Sequence, residues 1–131
     1  MKKKILIVIA NYYEDISNGL IGSAKKELKS NIIKTSIIYV PGVFEIPITI
    51  KKNIKKYDGF IALGCVIKGQ TPHFDFISKS TTDAIMLLSI EHTKPIANGI
   101  LTCLNKNQAL KRINKGKEAA IALKTVLTQY K

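Results

Sequence analysis

No apolar run in this sequence approaches the roughly 20 residues that a membrane-spanning helix needs, so no membrane partner is expected. The two cysteines, Cys65 and Cys103, are too few for a disulfide framework. Repeats, linkers and low-complexity tails are missing as well, and residues 1–131 read as one domain. The opening residues are not expected to be a secretory leader either. Met1-Lys2-Lys3-Lys4 looks like a basic leader start, but the apolar stretch Ile5 to Ala10 is too short for the h-region that should follow. Asn11-Tyr12-Tyr13-Glu14-Asp15 is not a small-residue cleavage site. A cytoplasmic protein is therefore expected, with Ile5 to Ala10 as its first strand.

Acidic residues are scarce, 9 against 21 Lys+Arg, which leaves a net charge of +12. Such a balance raises the question of nucleic acid. The lysines are dispersed, however, in pairs such as Lys25-Lys26, Lys51-Lys52 and Lys55-Lys56, on what pattern as solvated helix faces. No nucleic-acid motif accompanies them, and no nucleic-acid partner is expected. Arginine is scarcer still, with Arg112 its only occurrence. Its planar fork suits bidentate phosphate or carboxylate binding, for which lysine is a poor substitute.

What is present is a 46% hydrophobic chain long enough to bury a core. Lys3 to Ala10 patterns as a buried strand. A helix follows, with Ile16, Leu20, Ala24 and Leu28 every four residues and Asp15 as its cap. Thr35 to Val40 is a second strand, broken by Pro41-Gly42. Val43-Phe44-Glu45-Ile46-Pro47 then leads into a helix through about Lys56, with Pro47 in its first turn. Tyr57 to Leu63 reads as a strand buried on both faces. Phe74, Ile77, Thr81, Ile85 and Leu88 recur at helical spacing, in a helix ending near Glu91-His92-Thr93, where His92 suits the negative helix end. Ile96 to Thr102 is a fourth strand and Asn107 to Ile113 a short helical run. Asn114-Lys115-Gly116 turns into a last helix with Ala119, Ala122, Leu123, Val126, Leu127 and Tyr130 on one face. Strands alternating with helices predict a four-stranded parallel sheet covered on both faces, whose open edges favour oligomers.

The chemistry concentrates between the third strand and its helix, in Gly64-Cys65-Val66-Ile67-Lys68-Gly69-Gln70-Thr71-Pro72-His73. Thr71 reads as an N-cap and Pro72 as the first helical residue, so a helix N-terminus is aimed at the loop. Backbone N–H groups and the positive dipole end there favour an anion, phosphate above all. His73, inside the first turn, is the histidine placed for proton transfer near pH 7. Cys65 is either a reactive thiol or a small buried side chain. Asn11-Tyr12-Tyr13-Glu14 ends the first strand at the sheet edge where ligands bind. It is too acidic for a phosphate cradle but can stack on a flat ring, although Tyr13 could equally pack on the next helix. Glu45, near a helix start, either serves the helix dipole or accepts from ligand hydroxyls.

Two longer motifs and two shorter ones carry a family resemblance. Val40-Pro41-Gly42-Val43-Phe44-Glu45-Ile46-Pro47 and Gly64 through Asp75 resemble the V-P-G-A-F-E-I-P and G-x-V-I-[RK]-G-x-T-x-H-[FY]-D segments of the 6,7-dimethyl-8-ribityllumazine synthase family. Asn11 to Ile16 is similar to that family's aromatic loop. Asn98-Gly99-Ile100-Leu101-Thr102, then Arg112, then Asn114-Lys115-Gly116, match its C-terminal pattern in order.

The resemblance implies a flavodoxin-like three-layer sandwich and active sites between subunits of a pentamer. The implied reaction condenses 5-amino-6-(D-ribitylamino)uracil with 3,4-dihydroxy-2-butanone 4-phosphate and releases phosphate and water, with no metal and no cofactor. A flavin or lumazine carrier of the same fold is the alternative. By motif position, Tyr12 would stack on the pyrimidine, and Phe44 and Glu45 would hold the ribityl chain. Val43, Cys65, Val66, Ile67 and Asn98 complete the implied substrate-binding set. Gly69, Gln70 and Thr71 would cradle the phosphate, His73 would move protons, and Arg112 would bind phosphate from an adjacent subunit. Lys115 matches a family lysine near the site. Asn98 departs from an aromatic found in many members, and the turn after Arg112 is several residues shorter than usual. The chain starts almost at its first strand, without the segment that icosahedral members add to a neighbour's sheet, which points to a pentamer or paired pentamers.

Overall fold

The computed structural model describes residues 2–69 and 72–129. In chain order the elements are β1 (Lys3–Ala10), α1 (Glu14–Leu28), β2 (Ile33–Val40), a 3-10 turn (Val43–Glu45), α2 (Ile46–Lys52), β3 (Gly59–Ile67), α3 (His73–His92), β4 (Ile96–Cys103), α4 (Lys106–Leu110) and α5 (Lys115–Leu127). The four strands form one parallel sheet in the order β2-β1-β3-β4.

The central strands β1 and β3 carry apolar side chains on both faces, as strands sandwiched between helix layers must. Ile5, Ile7 and Ile9 of β1 join Ile61 and Leu63 of β3 under α1, α4 and α5. Leu6, Val8, Phe60 and Ala62 face the other way, onto α2 and α3. The two layers differ in tightness. On the first, α1 and α5 cross so closely that a Cβ at Gly116 would overlap the carbonyl oxygen of Leu20. On the second, α3 buries only Thr81 and Ile85, while Phe74, Ile77 and Leu88 are half-buried.

Several boundaries differ from the sequence expectation. Pro72 is the N-cap of α3 and His73 its first residue, and the Thr71 cap lies outside the described residues. Tyr13 rather than Asp15 is the N-cap of α1, so Asp15 sits in the first turn, where its carboxylate meets α4 instead. Strand β2 begins at Ile33, α2 ends at Lys52, and Lys115-Gly116 opens α5 rather than forming a turn. The inward face of α5 uses Ala119, Ala120, Leu123 and Leu127, whereas Ala122 and Val126 are exposed, and Tyr130 lies outside the described residues. His92 ends α3 as expected, with its Nε2 2.9 Å from Lys51 Nζ.

Candidate active site

Strand order places the site. From β1 the chain crosses to β2 on one side, while β3 and then β4 lie on the other. The loops leaving β1 and β3 therefore diverge, and a crevice opens at the carboxyl ends of those two strands.

A cleft of about 620 Å³ occupies that position, lined by Tyr12, Tyr13, Gly42, Val43, Phe44, Glu45, Cys65, Val66, Ile67, His73 and Ile77. Each element delivers its share for a local reason. The β1–α1 loop projects Tyr12, 74% exposed, with its ring centroid 4.9 Å from that of Tyr13 in an edge-to-face pair. Tyr13 packs against the core, as one of the two sequence readings had it, and also lines the cleft. Burial is the main reason its hydroxyl pKa is raised. The 3-10 turn after Pro41-Gly42 buries Val43 and turns Phe44 outward. Glu45 is the N-cap of α2 but makes no cap bond through its side chain. It lines the cleft, and its Oε1 lies 3.1 Å from where a Cβ on Gly42 would be.

The floor is the end of β3, where Gly64 leaves room for Val43 Cγ2 and Ala10 Cβ at 3.0 and 3.1 Å from where its own Cβ would be. Cys65 is only 7% exposed. Burial, with Cys103 beside it, pushes its pKa from 9.0 to about 12, which makes the thiol an inert wall. After β3 the exposed Lys68 and Gly69 lead toward α3, and Lys68 N donates to Cys103 O at 2.9 Å. Gln70 and Thr71 lie outside the described residues. His73 follows at the start of α3, exposed and facing the cleft, and Ile77, one turn later, closes the wall. Ile77 had been read only as a core position. Its spacing of four from His73 is the signal that puts both on one helix face. An aromatic plate, an apolar floor, a carboxylate, an imidazole and the positive end of a 20-residue helix thus share one crevice.

The sequence profile of 6,7-dimethyl-8-ribityllumazine synthase matches residues 2–131. The chain belongs to the 6,7-dimethyl-8-ribityllumazine synthase family. Proteins of that name from Bartonella tribocorum, Afipia carboxidovorans and Agrobacterium fabrum are 42%, 40% and 39% identical to it. Those alignments cover 93%, 91% and 96% of this chain and 87%, 80% and 93% of the relatives.

Four described residues expected from the family pattern do not line this cleft: Gly69, in the loop after β3, and Asn98, Arg112 and Lys115. Arg112 and Lys115 line a separate one of about 460 Å³ beside the end of β4, together with Lys111, Asn114 and Glu118. Asn98 lies in β4, an edge strand, and its Oδ1 accepts from the N–H of Ile100 at 2.9 Å. A further cleft of about 660 Å³ opens at the opposite end of the sheet, between α3 and α5. It holds none of the residues expected in a lumazine synthase site. Among the described residues there is no cluster of three or more metal-binding side chains, and no helix is long and apolar enough to cross a membrane.

Proposed function

We infer that this protein condenses 5-amino-6-(D-ribitylamino)uracil with 3,4-dihydroxy-2-butanone 4-phosphate to give 6,7-dimethyl-8-ribityllumazine, releasing phosphate and water. The observation that carries the reading is that Tyr12, Glu45 and His73 line one crevice at the ends of β1 and β3, in a chain of this family. Tyr12 stacks on the pyrimidine, and Phe44 and Glu45 hold the ribityl chain. Val43, Cys65, Val66 and Ile67 form the apolar bed beneath. The phosphate binds at the loop between β3 and α3, where Gly69 precedes the positive helix end. Amine attack on the ketone, loss of phosphate and ring closure each need protons moved, and His73 moves them. Most of the acceleration comes from holding two substrates in line.

Arg112 completes the phosphate site of a neighbouring copy, since within one chain it lines a different cleft from His73. The outer face of α3 supports such assembly, with Phe76, Met86, Leu87 and Ile90 all exposed. The unit is a pentamer or a multiple of it, acting in the cytoplasm on two small molecules. The test is to mix both substrates with the protein and record absorbance and free phosphate together. Lumazine absorbance should grow with equimolar phosphate, and no change above the protein-free rate would reject the reaction.

A further inference from the structure

The aromatic loop is tied to α4, beyond the end of β4, by a side chain that none of the steps above uses. Lys106 is the first residue of α4, and its Nζ lies 3.1 Å from Asp15 Oδ2 in the first turn of α1. The other oxygen of that carboxylate, Oδ1, accepts from Ile16 N at 3.0 Å. Asp15 therefore joins the start of α1 to the start of α4. The charge on Lys106 also reaches Tyr13, where it opposes the upward push of burial on the hydroxyl.

Both ends of this link are fixed. At the α4 end, Asn105 Oδ1 accepts from Gln108 N and Gln108 Oε1 accepts from Leu104 N, each at 2.8 Å. This two-way capping holds the first turn of α4 to the end of β4. That strand end is in turn bound to the loop before α3, through Lys68 N and Cys103 O at 2.9 Å. At the α1 end, Ser17 N donates to Tyr13 O at 2.9 Å and Ser17 Oγ to Ala10 O at 2.8 Å. A chain of bonds thus runs from the anion loop through β4, α4, Lys106 and Asp15 to the tyrosines.

We propose that Lys106 is a positioning residue: through Asp15 it sets the aromatic loop in register with the anion loop, so that Tyr12 stands over the ring while the phosphate end is held. This rests on the reaction assigned above. The pair is half-exposed, so its effect is that of a surface ion pair, a few-fold change rather than orders of magnitude.

Riboflavin, a flat ring with a ribityl tail, is the binding probe, titrated by fluorescence against the parent, K106A, K106R, D15N and the D15N/K106A double variant. K106A and D15N should each weaken binding about 2- to 5-fold, and the double variant no further than either alone. K106R should stay near the parent because it keeps the charge. In turnover assays, K106A should raise KM for the pyrimidine by the same factor, leaving kcat and the KM for the phosphate substrate unchanged. Parent-like riboflavin affinity in K106A would overturn the proposal, including where only its melting temperature falls. So would losses that multiply in the double variant. A parent that binds riboflavin but does not turn over would reject the reaction alone, and the binding series would still decide Lys106. In a parent that turns over without binding riboflavin, the KM for the pyrimidine decides Lys106, and an unchanged value in K106A would overturn the proposal.

Discussion

His73 stands in the first turn of α3 with its imidazole at the crevice, close in sequence to the loop proposed to hold phosphate. Proton transfer by such a group contributes on the order of 10²-fold, whereas alignment of two substrates does not depend on it. His73→Ala should therefore lower kcat about 100-fold while substrate affinity is largely kept. Stopped-flow turnover with separate titrations of each substrate measures both quantities. Cys65 allows a pH test. Its thiol ionises at about 12 in the folded protein and near 9.0 otherwise. Above pH 9 the unfolded state has lost a proton that the folded state retains, so stability falls as pH rises through that window. Alkylation of Cys65 at pH 8 should accordingly be slow in the native protein and fast in urea, as read by mass spectrometry. Legibility differed residue by residue. Tyr12, Val43, Phe44, Glu45, Cys65, Val66, Ile67 and His73 were placed from motifs and lie together. Tyr13 and Asp15 were not fully readable, because a tyrosine's double role and a carboxylate's distant partner depend on which elements meet in space.

At the scale of the element, periodicity together with proline and glycine breaks located the four strands and five α-helices, but not the 3-10 turn at Val43–Glu45, and the other errors fall at element ends. Pro72 suits an N-cap as well as a first helical position, because its φ of −71° fits either, and only ψ, here 3°, separates the two. In α5 the alanines blur the apolar stripe, since Ala120 and Ala122 look alike in sequence while one is buried against α1 and the sheet and the other is exposed. Gly116 was read as a turn residue, yet its role is steric. It lets α5 approach the Leu20 carbonyl of α1, and no side chain fits between them. Gly116→Ala would have to push the two helices apart and should cost about 1–3 kcal/mol, despite alanine's better helix propensity. Urea unfolding followed by circular dichroism measures this, and an unchanged or raised midpoint would show that α1 and α5 can separate at no cost.

The whole molecule, taken as one chain, divides its proposed site in two, with His73 in one crevice and Arg112 in another. That division leads to a mixing experiment. Arg112→Ala should weaken affinity for the phosphate substrate about 10- to 100-fold, as expected for loss of a charge-assisted bidentate pair. When Arg112→Ala and His73→Ala chains are unfolded and reassembled together, activity should exceed the mean of the two parents, because some interfaces combine an intact His73 with an intact Arg112. Activity equal to that mean, in oligomers shown by mass spectrometry to be mixed, would place both residues in one chain's function. The family resemblance implied such a division by giving Arg112 to the phosphate of an adjacent subunit, whereas the two clefts themselves are properties of the folded sheet. The rim of that sheet has its own consequence. Strand β4 ends the hydrogen-bonded ladder, and a bare rim is a template on which stray strands of other molecules can grow. By folding its amide back onto the N–H of Ile100, Asn98 occupies one rung of that template from within. That rim therefore offers one backbone N–H fewer for a foreign strand to pair with.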